Sequence, residues 1–392
     1  MEGAVRVSRV AASLVAVVAL AGVGTTTSPI DAAVGRTAAS SQKSDAALAA
    51  ATKATKAAFK GTYRPVDSTP RAAVEDKHVA IISAGQASIS AQIPVAGALD
   101  AVEAIGWQAE VYDGKLIPGT YPGLVRQAIA AGVDGIVLVA IDCQAVSEPL
   151  QEAKAEGIAI IGLGSFDCND PNGGGAKEGL FSAEINFGPR GDNLPELVAS
   201  YGADQANYIV SKSKNRARII MVTDPEFITL HYTDQGFERV IAKSGGSKIV
   251  SKLELTISDF AGTQLIAKIQ AELLNHPEAT WIRSPYTYAT TLGIVPALGS
   301  QTSQLDVMGG EGHEPELDLL RGGKITAVNI FASDWEGWAA IDTMNSVFRK
   351  TPPADSGLGW VMADAQHNAP ASGPFDPRID YRSQYRKAWA VT

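Results

Sequence analysis

Cysteine is nearly absent from this chain: Cys143 and Cys168 are the only two in 392 residues. A bacterial lipoprotein carries a cysteine at its cleavage point, so the sequence predicts no Cys-based lipid anchor. Histidine is also scarce, and its five residues are scattered rather than set at metal-ligand spacing. No run of Lys and Arg occurs, and the formal net charge is -9. Nucleic-acid binders usually need a basic face that displaces counterions, so no nucleic acid is expected as a partner. GxSxG elbows, Walker A loops, HExxH helices and dinucleotide fingerprints are all missing, which argues against an enzyme and against a bound cofactor. The stretch DCNDPNGGGAKE (167–178) has Asp167, Asn169 and Glu178 at positions 1, 3 and 12 of a calcium loop. Pro171 and Asn172 then stand where that loop needs an oxygen ligand and a glycine, so no metal is expected.

Long apolar runs are lacking too, with one exception. Arg6 and Arg9 precede an apolar segment from Val10 to Val23, followed by small and polar residues. The segment is shorter than the roughly 20 residues of a membrane span and matches an export signal, here assigned to residues 1–39 with its cleavage point open between Ala32 and Ala39. A buried helix is the alternative, but the Thr/Ser/Pro stretch after it offers nothing to pack against. The expected location is therefore outside the cytoplasm, in the periplasm or cell envelope. In such a compartment Cys143 and Cys168 are expected to pair, with two buried free thiols as the alternative.

What is present is apolar material, 45% of residues against 19% charged, enough for two cores. Residues 40–76 are rich in Ala, Lys, Ser and Thr and contain Pro65 and Pro70, and they read chiefly as a tether. From His78 onward, short β-branched runs such as HVAIIS (78–83), GIVLVAI (135–141), IAIIGL (158–163) and ARIIMVT (217–223) alternate with amphipathic helical patterns. Several helices stop at glycine, as at Gly106, Gly132 and Gly157. Strands buried on both faces, each followed by a helix, specify parallel sheets with right-handed crossovers. Nine such strands divide better between two doubly wound lobes than within one sheet. The fold class is α/β, with a ligand cleft between lobes at the strands' C-terminal edges.

Five segments carry a family resemblance: GVDGIVLVAIDCQAVSEPLQEAKAEGIAIIGL (132–163), HYTDQGFERVIAK (231–243), TTLGIVPAL (290–298), VMGGEGHEPELDLLRGGKITAVN (307–329) and YRSQYRKAWA (381–390). In content and order they resemble the type I periplasmic-binding-protein family of the sugar-binding kind, from His78 to the C-terminus. The resemblance implies an N-terminal lobe (77–185 plus 333–352) and a C-terminal lobe (186–332 plus 358–392). It also implies a three-strand hinge, placed near Glu184–Phe187, Ala332–Asp334 and Thr351–Leu358. Its functional implication is a monomeric solute-binding protein that closes on a small polar, sugar-like ligand and delivers it to an ABC permease. A receptor subunit presenting the closed form to a membrane signalling protein is the alternative, and an α/β hydrolase the weaker one. A repressor with the same lobes would need a basic helix-turn-helix ahead of them, where this chain has its apolar N-terminal run.

Mapped onto the family's ligand positions, the candidates depart from the sugar pattern. Ser88, Ser90 and Gln92 occupy the loop where paired aromatics usually stand, although Ser90 is as easily an N-cap. Asp142 ends a strand at the cleft or caps the next helix. Gly164 and Ser165 replace an Asp-Arg pair, with Phe166 and Asp167 directly after. His231 takes the place of an arginine, or is a surface histidine. Glu311 retains an acidic position, with His313 close behind. Ala332 replaces a hinge glutamine, leaving Asp334 and Trp335 as candidates. Tyr288, with Tyr286, supplies stacking or is an ordinary strand-end tyrosine. Such a set argues against an ordinary pentose or hexose and leaves the ligand open.

Overall fold

The computed structural model describes residues 29–191, 193–260, 264–299 and 305–391, with side chains from residue 42 onward. The apolar run Val10–Val23 lies outside the described residues. Residues 1–42 and 43–392 form separate units. Among the described residues no helix is long and apolar enough to cross a membrane.

The chain runs α1 (Pro29–Ala58), β1 (His78–Ser83), α2 (Ile89–Ile105), β2 (Gln108–Asp113), α3 (Tyr121–Ala130), β3 (Gly135–Val139), α4 (Ser147–Ala155) and β4 (Ala159–Leu163). It continues through α5 (Leu194–Lys212), β5 (Arg218–Thr223), α6 (Ile228–Ser244), β6 (Lys248–Glu254), α7 (Gln264–Asn275) and β7 (Trp281–Arg283). A helical stretch follows, made of α8 (Thr287–Ala289), a π-type turn (Thr290–Ile294) and α9 (Val295–Leu298). The last elements are β8 (Asp306–Met308), α10 (Glu314–Arg321), β9 (Ala327–Phe331), α11 (Ser333–Phe348), β10 (Trp360–Asp364) and α12 (Tyr381–Trp389).

Two sheets result. The first, β2-β1-β3-β4, is entirely parallel. The second, β10-β9-β8-β7-β5-β6, is parallel except for the β9–β10 pair. Strand β3 is buried along its whole length and β1 from Val79 onward, so helices must cover both faces of the first sheet. Helices α2 and α11 pack on each other so closely that a Cβ on Gly97 or Gly337 would strike the partner's backbone. Glycine makes the same approach possible between α5 and α6, where Gly202 faces the Thr233 carbonyl and Gly236 the Ala199 carbonyl. This is the two-lobed α/β architecture expected from the sequence.

Two segments lie elsewhere than expected. Residues 43–76 are not a loose tether. Ala51 and Ala58 are buried in the second lobe's core beside Tyr208, Phe237 and Trp281. Thr62 N–H then donates to the Trp360 carbonyl and Arg64 N–H to that of Gly357. Further on, Arg71 N–H reaches the Ala388 carbonyl in the first lobe. The low-complexity composition hid an alanine stripe small enough to seat on α5. Helix α12 also belongs with the first lobe rather than with 358–392 in the second. Tyr381, Tyr385 and Trp389 are buried there against Trp338, whose ring stacks on Trp389 at 5.4 Å and 1°.

Chain crossings near 184–187, 332 and 351–358 are therefore joined by two more, at 62–71 and 365–380. Ser356 donates N–H and Oγ–H to the Asn186 carbonyl, tying the first crossing to the third. Arg64 pairs with Asp355 at 2.7 Å and donates to the Phe187 carbonyl, adding the N-terminal crossing to that bundle.

Candidate ligand cleft

The C-terminal ends of β1, β3 and β4 face the N-terminal halves of α5 and α6 across a cavity of about 250 Å³. Open α/β sheets bind ligands at this edge. The walls are largely apolar and aromatic, with Phe166, Phe187, Tyr201, Phe260, Tyr286 and Trp360 among them. Phe260 stacks on Tyr288, ring centroids 4.9 Å apart and planes 17° from parallel. Ala140 at the end of β3 lines the cavity with φ +53°, a left-handed conformation that a non-glycine residue adopts only when its surroundings hold it there.

Seven of the side chains singled out from the sequence meet in this cavity: Ser88, Ser90, Ser165, Phe166, Tyr286, Tyr288 and Glu311. Ser88 stands at the N-cap of α2 without a side-chain capping bond. Ser90, rather than capping, donates across the cleft to Glu311 Oε2 at 2.5 Å. Glu311 also accepts the Thr287 N–H at 3.0 Å, and His313 Nδ1 lies 3.6 Å from it. The Ser165 hydroxyl accepts the Ile141 N–H at 3.1 Å, which ties it to the strand ends.

Asp142 does not line the cavity, but it joins the lobes. One carboxylate oxygen accepts the Phe166 N–H at 2.7 Å and the other the Ile228 N–H, at the start of α6, at 3.0 Å. Burial pushes its pKa up to about 6, against the two N–H donors that favour the charged form. Three more contacts cross at the same place: Thr229 to the Gly164 carbonyl, Tyr232 to Asp170 at 2.8 Å, and the ring of Phe166 on that of Tyr232 at 5.1 Å. The lobes are thus in contact around the cavity.

The other candidates fall outside it. Gln92 is exposed on α2. Asp167 accepts the N–H groups of Cys168, Leu180 and Phe181 and so folds its own loop. Cys143 and Cys168 are joined by a disulfide that pins this loop to the segment after β3, which takes both thiols out of the cluster they form with Asp167. His231 is exposed, with Nε2 beside the Gln235 amide on the next turn. Asp334 accepts from the Tyr381 hydroxyl at 2.6 Å and from Arg382, outside the cleft. Trp335 is fully buried between Tyr63 and Tyr381.

In α11 it is Ser333 and Glu336, three residues apart and hence on one helical face, that look into the cavity. Glu336 is buried, and burial together with the charge of Glu311 pushes its carboxyl up to about 8, against a bond from the Gly164 N–H. Tyr201, Phe260, Trp360 and Glu336 escaped the sequence reading. A face-by-face reading of α5 and α11 would have found Tyr201 and Glu336, but nothing local marks Phe260 or Trp360.

Residues 79–351 match the family described as the periplasmic binding protein domain, well over half of the chain. The chain is a periplasmic binding protein. Its family and architecture are those of type I members, sugar-type ABC-transporter solute-binding proteins among them. The solved structures similar to this binding protein include a solute-binding protein from Agrobacterium vitis bound with α-D-tagatopyranose (18% identity, TM-score 0.63, covering 74% of this chain and 95% of that one). Another, from Burkholderia graminis in complex with D-arabinose, has 16% identity and TM-score 0.62, covering 76% and 98%. The fructose-binding periplasmic domain of a hybrid two-component system is similar at 15% identity and TM-score 0.62, covering 74% and 90%. No curated protein matched the chain. At these identities the structures speak for the fold of this binding protein, whose family places it outside the cytoplasm and whose members bind ligands rather than catalyse reactions.

Proposed function

We propose that this protein captures a small molecule between its lobes and presents the closed form to an ABC permease. The observation that carries the reading is the cavity itself. It lies between the two lobes, and Asp142–Ile228, Ser90–Glu311 and Tyr232–Asp170 clasp them around it. A ligand touching both lobes would add contacts that an open form lacks, shifting the open–closed equilibrium by its differential affinity. The crossings near 184–187, 332 and 351–358 supply the hinge of this proposal. In the same reading the protein is exported by the signal in residues 1–39, works as a monomer, and uses neither metal nor cofactor in binding.

A sensory role is the second reading, favoured by the similarity to the two-component periplasmic domain. A thermal-shift screen of residues 43–392 against sugars, polyols, nucleosides, amino acids, organic acids and amines tests ligand capture. A ligand at 100 times its Kd adds about 2.7 kcal/mol of stability, a shift of a few degrees. Stimulation of a reconstituted permease's ATPase by the liganded protein separates transport from sensing. If the ligand were turned over, the binding-protein reading would fail.

A further inference from the structure

The cleft that the proposed function uses is unusual in its charge. Among the described residues lining it there is no Lys, Arg or His, whereas Glu184, Glu311 and Glu336 all border it. Glu184 is exposed to solvent as well. Glu311 and Glu336 repel one another, and the hydrogen bonds they accept come from neutral donors: Ser90 and the Thr287 N–H for Glu311, the Gly164 N–H for Glu336. His313 approaches Glu311 at 3.6 Å from outside the lining. Two arginines stand nearby in sequence or contact but are otherwise engaged. Arg190 lies over the Trp360 ring, 4.8 Å from its centroid, and Arg283 is paired with Asp234.

Sugar recognition would call for the opposite lining, many hydrogen-bonding side chains that satisfy several hydroxyls at once, because each hydroxyl left unpaired in a buried site costs affinity. Here most hydroxyls of the lining are already engaged, Ser90 with Glu311, Thr229 with the Gly164 carbonyl, Thr233 with the Thr229 carbonyl, Ser333 with His313 and Tyr286 with Asp224, and rings make up much of the wall. Rings present a negative face to a cation within about 6 Å of their centroid, and a desolvated carboxylate beside them strengthens the attraction.

We propose that the ligand is a small amphipathic organic cation, with an ammonium held by Glu311 and Glu336 and an apolar body against Phe260, Tyr286, Tyr288 and Trp360. This rests on the reading of the cleft as the ligand site and adds the ligand's class to it. A neutral or anionic solute would leave Glu311 without a cation and Glu336 holding its proton, whereas an ammonium lets Glu336 give that proton up to solvent. A polyol would leave its hydroxyls against aromatic wall.

The test uses benzyltrimethylammonium, its neutral isostere neopentylbenzene, phenylpropionate and D-galactose. Binding is followed by calorimetry and by the tryptophan fluorescence to which Trp360 contributes. The expected result is that the quaternary ammonium binds at least tenfold tighter than the isostere and tighter than the other two. Glu336→Gln and Glu311→Gln, each checked by its melting curve, are expected to remove that preference while leaving isostere binding in place. Equal or tighter binding of the isostere, the acid or galactose would overturn the cation assignment, and so would binding by none of the four. In each case the solute-binding reading is judged separately, by the broad thermal-shift screen and the permease assay.

Discussion

Glu336 illustrates how a single buried carboxyl couples the site to stability. Its proton is held up to about pH 8 in the folded protein, chiefly because burial disfavours the charge. An unfolded chain gives that proton up in the ordinary carboxylate range, so this group's contribution to stability falls as pH rises from there towards 8. Glutamine has no proton to lose. Glu336→Gln should therefore melt at about the same temperature as the wild type near pH 4.5, and at a progressively higher one towards pH 8. Scanning calorimetry across that range checks it. Asp142 gives a second residue-scale expectation. In Asp142→Asn an amide N–H would oppose one of the two backbone N–H groups that the carboxylate now accepts. Loss of one such bond is worth roughly 1–3 kcal/mol. Ligand release measured by stopped flow should accelerate about tenfold or more, with little change in association.

Among the elements, those with strong local signals were legible from sequence. The runs at 78–83, 135–141, 158–163 and 217–223 became β1, β3, β4 and β5, because continuous β-branched residues have no alternative to a doubly covered strand. Most of the legible site lies where backbone position fixes it, with Tyr288 on α8 as the exception. Ser88, Ser90, Ser165, Phe166 and Glu311 follow strand ends and had to face the cleft edge. Residues on helices depend on rotation about the helix axis, and there the reading was off by one or two positions. The sequence points to Asp334 and Trp335 where Ser333 and Glu336 line the cavity, and to His231 where Thr229, Leu230 and Thr233 do. The sequence places helix α12 in the other lobe, since the proline-rich stretch 365–380 reads as a loop without telling which lobe it leads to. Its role predicts a large cost on truncation. Trp389 is 1% exposed, stacks on Trp338, and donates from Nε1 to Asp342 at 2.7 Å. Trp389→Ala should cost about 3–5 kcal/mol in urea unfolding. A much smaller cost would mean that α12 is not part of the first lobe's core.

At the scale of the whole molecule, five crossings rather than three connect the lobes, and Arg64, Asn186, Asp355 and Ser356 tie three of them into one bundle. In the proposed function such a bundle would permit bending about one line while resisting shear, returning the lobes to the same clasped geometry. The apolar cleft and the clasp around it make one joint claim, that ligand binding and lobe closure are the same event. The most direct test is small-angle scattering of residues 43–392 with and without whichever compound gives the largest thermal shift. This compound is expected to lower the radius of gyration, and Glu311→Gln to weaken the thermal shift and the compaction together. A compound that stabilises the protein without compacting it, and still does so in Glu311→Gln, would contradict the claim and place its binding outside the cleft.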